Sequence, residues 1–296
     1  PLRNFKQYIH YFSYPEALYY SAYPAATVRN IEAAMAVKAA LEKFTTVSAE
    51  AAAETPAAFR VRYRETLKAI APSLGSAPGV HPFAIAKSQP DGYGPLLGRL
   101  AGEGSVRQTL IAAMSPIEVK PAHTVTTEIA DLIESVSEST SPSPFANCPM
   151  LHFARLVVID DLIPKLGSRP KASLRTNYLL FVAAIDGQLE DFLDCLYAAD
   201  PEFVHGVWGQ CLGYPEDREG PVFLRRYIAR SLLPVQLPYV AFPGATALDI
   251  RDAVSVQADM LDWMADTHCR DLGDVELMTK WQGWLDQRLA GSRASR

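Results

Sequence analysis

Two stretches near the middle of the chain, MLHFARLVVID (150–160) and NYLLFVAAI (177–185), are apolar at almost every position. Their length and their Val, Ile, Leu and Phe content predict β-strands. Along the first, Leu151, Phe153, Arg155, Val157 and Ile159 point one way, and His152, Ala154, Leu156 and Val158 the other. Both faces are therefore apolar, whereas an open sheet with helices on one side should show a polar second face. The sheet is expected to be covered twice.

Elsewhere apolar residues recur at helical spacing. Ile31, Ala34, Met35 and Leu41 mark a helix capped by Thr27, and 48–71 reads as helical with a break at Pro56. Ile129, Leu132, Ile133 and Val136 place a helix over 123–137. Further helices are expected at 5–13, 104–114, 188–199, 201–211, 223–232, from Thr246 to about Met264, and in VELMTKWQGWLDQRL near the end. ALYYSAY (17–23), IEVK (117–120) and QLPYVAF (236–242) read as strands. Residues 72–98, rich in Gly and Pro, read as a loop or boundary, STSPSP (139–144) as a loop, and the tail GSRASR as disordered. Asp186-Gly187 is a turn in which Asp186 can cap the helix that follows.

From residue 116 the order is β-α-β-β-α-β with extra helices before the last strand, the pattern of a ferredoxin-like unit in an α+β protein. With two apolar faces, the expected arrangement is a dimeric or pseudo-dimeric α+β barrel.

The chain also repeats itself. Residues 5–44 align without a gap on 224–263, with about a third of the positions identical. Tyr8, Ile9 and Pro15 fall on Tyr227, Ile228 and Pro234, and Tyr20, Ala22 and Pro24 on Tyr239, Ala241 and Pro243. Ala26, Thr27 and Ile31 fall on Ala245, Thr246 and Ile250. The second copy has a long upstream partner and the first has none. The chain thus reads as 1–45, the last helix-strand-helix of an incomplete first repeat; 46–115, a helical and loop connector; 116–266, a complete ferredoxin-like repeat; and 267–296, a C-terminal helix and tail. A second copy of the chain, or another partner chain, is expected to complete the barrel.

Composition narrows the classes. The 296 residues carry 28 basic and 33 acidic side chains, a net charge of −5, and no basic run interleaved with aromatics, so a nucleic-acid partner is not expected. No apolar run approaches a membrane span, and PLRNFKQYIH has no signal-peptide core. Cys148, Cys195, Cys211 and Cys269 are scattered, as reduced thiols in a cytoplasmic protein would be.

LHFARLVVIDD (151–161), LLFVAAIDGQLEDFLD (179–194), VWGQCLGYP (207–215), LPVQLPYVAFPGATALDI (233–250) and LYYSAYPAATVRNI (18–31) resemble a bacterial repeat family of largely unassigned role. Its members carry a His-Phe-Ala-Arg-aromatic strand, an Asp-Gly strand end and a Tyr-Ser-Ala-Tyr-Pro segment, and occur with or fused to haem peroxidases of the dye-decolourising type. Two positions depart from that pattern, Leu156 and Ala184-Ile185. The resemblance implies a ferredoxin-like fold and an accessory or ligand-binding α+β barrel protein of a peroxidase-type system. Such a protein would bind an apolar small molecule or a partner chain, with a haem peroxidase among the partners. The other reading is a haem-dependent, peroxidase-like oxidoreductase with haem in the barrel.

Three residues are candidates for chemistry: His152, Arg155 and Asp186. Arg155 with Asp186 or Asp160 forms either a structural pair stitching two strands or an anion clamp inside the barrel. His152 is either a hydrogen-bonded core residue or a base or haem ligand; His205, beside Trp208, is the second candidate ligand. His10, His81, His123 and His268 show no metal-ligand spacing, and no metal site is expected. The aromatic stripe Tyr8, Tyr11, Phe12, Tyr14, Tyr19, Tyr20 and Tyr23 reads as an interface.

Overall fold

The computed structural model describes residues 17–24, 26–50, 54–74, 108–118, 124–138, 143–161, 173–215, 220–235, 240–267 and 272–294. The chain divides into two compact units, residues 1–24 with 89–248, and residues 25–88 with 249–296.

In the first unit, four strands form one antiparallel sheet: β1 (Ala17–Ser21), β2 (Gln108–Pro116), β3 (Leu151–Asp161) and β4 (Ser173–Asp186), in the order β1-β3-β4-β2. Among the described residues the sheet is open, with β1 and β2 at its edges. Between β2 and β3 lie α3 (Thr124–Glu138) and a 3₁₀ turn (Pro144–Asn147); after β4 come α4 (Leu189–Ala199), α5 (Pro201–Trp208) and α6 (Pro221–Ser231). The protein is thus mixed α+β.

β2 corrects the expectation of a helix at 104–114. Ala, Leu, Met and Gln favour helices, but Ile111, Ala113 and Ser115 are buried alternately, and every residue of Gln108–Pro116 pairs with β4. Pairing overrides local propensity. Of the strand expected at 117–120, Ile117 makes an isolated bridge to Cys211 and donates its N–H to Asn177 O at 2.8 Å, and 119–120 lie outside the described residues. In the strand expected at 236–242, residues 240–242 are not in strand conformation and 236–239 lie outside the described residues. Residues on either side of 236–239 nevertheless bond to the outer edge of β2. Leu233 N donates to Ala112 O at 2.7 Å, and Gln108 Nε2 donates to the carbonyls of Phe242 and Ala245 at 3.4 and 3.2 Å.

One sheet face carries the core. Leu18, Ile111, Ala113, Ala154, Leu156, Leu179, Phe181, Ala183 and Ile185 join Ile129 and Ile133 of α3, Phe192 of α4, Val204 and Trp208 of α5, and Ile228 of α6. Phe181 is the hub. Its ring stacks on Phe145 at 6.2 Å and Phe192 at 6.3 Å and meets Trp208 edge-on at 5.5 Å. α5 reaches α3 through Gly206, where an added Cβ would lie 2.8 Å from Leu132 Cδ2, so only glycine fits without movement.

The other face is built of three cross-strand rows: Tyr19–Arg155–Val182–Ala112, Ala17–Val157–Leu180–Met114, and Ser21–Phe153–Ala184–Leu110. None of these residues belongs to the cluster the helices build. Val157 and Ala184 are buried; Leu110, Met114, Phe153, Leu180 and Val182 are half-buried; Tyr19 and Arg155 are exposed. The apolar second face exists, and no described helix of this unit covers it.

A β-bulge shifts the register between Leu151 and Phe153. Leu151 therefore lies opposite Ile185 and is fully buried on the helix side, not on the side of Phe153 and Arg155 as simple alternation predicts.

The second unit is helical: α1 (Val28–Glu50), α2 (Pro56–Leu74), α7 (from Ala247, whose first two residues belong to the first unit, to Thr267) and α8 (Asp274–Ala294). Thr27 caps α1, its Oγ1 accepting from Asn30 N at 3.2 Å, and Pro56 opens α2 rather than interrupting it. Aligned positions of the two repeat copies are buried alike: Ile31 and Ile250, Ala34 and Ala253, Val37 and Val256, Leu41 and Met260, Phe44 and Trp263. Phe44, Tyr63 and Trp281 make edge-on ring contacts at 5.3 to 6.4 Å, and the Arg62 guanidinium lies 3.8 Å over the Phe44 ring while bonding Glu54. α8 continues to Ala294, into the segment expected to be disordered. The helix expected at 5–13 lies outside the described residues.

Candidate functional site

The bulge at the start of β3 sets His152 at the end of the sheet, where three other segments meet it. His152 Nε2 lies 2.8 Å from Asp186 Oδ1, and Nδ1 lies 3.1 Å from the Tyr23 hydroxyl. Asp186 Oδ2 accepts the backbone N–H of Ala247, the first residue of α7, at 2.7 Å. One tautomer satisfies all of these contacts. Nε2–H donates to the carboxylate, and Nδ1 accepts the phenolic proton of Tyr23. A four-segment chain results, from the exit of β1 through β3 and the end of β4 to the start of α7. The carboxylate at the helix N-terminus also complements the dipole of α7.

This arrangement revises two expectations. Asp186 caps α7, 61 positions on, and not the helix that follows it; α4 begins after Gln188 with no side-chain cap. Asp186 also does not pair with Arg155. Arg155 is exposed on the face away from the helix-built core and has no ion pair among the described residues; the side chain of Asp160 lies outside them. Arg155 is in register with Tyr19 and Val182, away from the strand ends where His152 and Asp186 sit.

His152 is buried, with 3% exposure, and Tyr23 is half-buried. Burial first, then the neighbouring Tyr19 and the Asp186 carboxylate, push the Tyr23 hydroxyl up to about 12. Tyr23 thus stays a protonated donor to His152 across the physiological range. Since its folded pKa lies above the ordinary 10.0, its contribution is complete below pH 10 and is lost as the pH rises towards 12. Tyr227 and Cys211, raised to about 12 by burial, act in the same direction. Urea midpoints should fall between pH 9 and pH 11 for the wild type and fall less for Tyr23→Phe. Parallel losses in the two proteins would show that Tyr23 is not a buried phenol.

His205, on α5, is also held at both nitrogens, by Tyr197 OH at 3.3 Å and Tyr214 OH at 3.1 Å. Haem ligation requires an imidazole nitrogen free to face iron. At His152 and at His205 an iron bond would displace an existing partner, so these residues do not fit a haem ligand.

The aromatic stripe has three fates. Tyr19 is exposed on the outer face, Tyr20 packs on the helix-side core, and Tyr23 joins the His152 chain, while Tyr8, Tyr11, Phe12 and Tyr14 lie outside the described residues. Tyr23 was missed as a partner of His152 because 129 positions separate them. Its alignment with Phe242 was the available signal: both copies of this aromatic-Pro corner reach the same end of the sheet, Phe242 through Gln108, which is in register with Asp186.

Cys148 and Cys211 are buried and Cys195 half-buried, all as free thiols. Burial, with Cys195 beside it, drives the Cys148 thiol strongly upward, away from reactivity. Cys269, His10, His81, His123 and His268 lie outside the described residues. Among the described residues no cluster of His, Cys, Asp and Glu could hold a metal ion, and no helix is long and apolar enough to cross a membrane.

No family model matches the chain, and no curated protein or solved structure matches it significantly.

Proposed function

We propose that the chain is an accessory binding module of the α+β barrel type, and that the occupant of its outer sheet face is a second copy of itself. The observation that carries this reading is the outer face, whose Leu110, Met114, Phe153, Leu180 and Val182 stay half-buried and outside the helix-built core. Sheets bury such faces against other sheets, about 10 Å apart. This chain itself owns a matching four-stranded face, and a two-fold pairing presents one patch twice. The topology supports a ferredoxin-type unit. β2, β4 and β3 lie in the order of its first, third and second strands, and Leu232 and Phe242 bond to the edge where its fourth belongs. A setting beside a haem peroxidase follows from the family resemblance.

Light scattering at micromolar concentration tests the pairing. The protein as purified should have the mass of two chains. Leu180→Asp, a charge placed in the middle of the face, should give one chain with unchanged far-ultraviolet dichroism. A one-chain mass for the wild type would overturn the reading. So would a Leu180→Asp protein that stays paired or that is destabilised as a single chain, since the face would then be covered by the chain's own residues.

A further inference from the structure

Two cysteines ride on the same two elements whose rings clamp Phe181. Phe145 of the 3₁₀ turn and Phe192 of α4 both stack on Phe181, at 6.2 and 6.3 Å. Cys148 stands three positions after Phe145, where the 3₁₀ repeat is three residues, and its N–H donates to Phe145 O at 3.2 Å. Cys195 stands three positions after Phe192, on the same face of α4. The packing that fixes the two rings therefore also fixes the two sulfurs beside each other. Cys195 Sγ–H donates to Asn147 O at 3.6 Å, across 48 positions of sequence. The two thiols also share a side-chain hydrogen bond. With the Cys195 proton directed at Asn147, the Cys148 S–H is the donor of that bond. Both are free thiols, Cys148 buried and Cys195 half-buried next to the exposed Asn147.

We propose that this dithiol is a reversible oxidation site, closed to a disulfide by a hydroperoxide and reopened by a thiol reductant.

Access assigns the order of events. Cys195 is within reach of water and Cys148 is not, so Cys195 Sγ attacks the peroxide. The O–O bond breaks and water leaves. Cys195, oxidised by two electrons as the peroxide is reduced, becomes a sulfenic acid. Cys148 Sγ then attacks Cys195 Sγ. The S–O bond breaks, and the departing hydroxide takes the Cys148 proton, which already faces Cys195, and leaves as water. Two thiols and one hydrogen peroxide thus give one disulfide and two waters. Sulfurs in hydrogen-bond contact close to the ~2 Å of an S–S bond by side-chain rotation. Burial keeps Cys148 protonated, so its thiolate is a poor leaving group. A reductant entering from water meets Cys195 and must expel Cys148, which makes the bond slow to open. Once formed, it fastens the 3₁₀ turn to α4 and closes a loop that contains β3 and β4.

The test treats reduced, full-length protein with a small excess of hydrogen peroxide. The thiol count in denaturant should fall by two, and a non-reducing digest should contain the Cys148 peptide joined to the Cys195 peptide. The thermal midpoint of the sheet unit, followed by circular dichroism, should rise by roughly 4–10 °C and return after dithiothreitol. In Cys148→Ala, Cys195 should stop at the sulfenic acid and be captured by dimedone. In Cys195→Ser, Cys148 should stay unmodified. Oxidised wild type without the joined peptide, or with either cysteine joined to another partner, overturns the site. Dimedone capture at Cys148 in Cys195→Ser overturns the assigned order. A bond that forms and leaves the thermal midpoint unmoved overturns its role as a fastener of the turn to α4.

Discussion

Asp186→Ala should remove roughly 3–6 kcal/mol of unfolding free energy from the sheet unit, because hydrogen bonds to a charged group contribute about 1.5–3 kcal/mol each and this carboxylate accepts two. Its side chain is 11% exposed and that of His152 4%, so water cannot readily replace the lost acceptor. Removal strands His152 Nε2–H and the first N–H of α7 together. The loss is a large share of the roughly 5–15 kcal/mol that holds a domain folded. Asp186→Asn keeps one acceptor oxygen and should recover about half of the loss. Urea titration at neutral pH, followed by circular dichroism, measures both. An Asp186→Ala protein within about 1 kcal/mol of wild type would contradict the four-segment chain.

Phe181→Ala should cost about 3–5 kcal/mol, the usual range for truncating a fully buried aromatic. Phe181 has no exposed surface and touches the rings of Phe145, Phe192 and Trp208, so the void opens where the 3₁₀ turn, α4 and α5 converge on the sheet. Trp208 is the one tryptophan of the first unit, since Trp263, Trp281 and Trp284 belong to the second. In a protein carrying Phe at those three positions, Trp208 fluorescence should report unfolding at lower urea for Phe181→Ala. The adjacent Leu180 points to the other face, and its replacement by Asp should change the mass and not the stability. Similar outcomes at 180 and 181 would mean that the two faces of β4 are not distinct in the way the register requires.

That contrast also shows how far the chain could be read without coordinates. The strands at Ala17–Ser21 and Leu151–Asp161, the part of Ser173–Asp186 from Asn177 onward, and most of the helices were legible, because each depends on local periodicity and caps such as Thr27. The second apolar face was legible for the same reason, since Phe153, Val157, Leu180 and Val182 alternate strictly with the core residues. The strand at Gln108–Pro116 was not, because its composition favours helix and its conformation depends on β4, more than sixty residues away.

The candidate site divides in the same way. His152 and Asp186 stood out as polar groups in apolar strands, but their partners did not. The bulge that aims His152, the Tyr23 hydroxyl and the start of α7 are brought together by contacts spanning 34, 129 and 61 positions. Arg155 illustrates the converse. Local alternation set its face correctly, yet only the assembled sheet showed it exposed and apart from Asp186. The amino-acid order by itself determined most of the strands and helices and that the sheet has two greasy sides, since those properties repeat every two or four residues. Which side the helices cover, where the register slips and which polar groups meet were decided only by tertiary structure, because each depends on atoms that are distant along the chain and adjacent only once the sheet has formed.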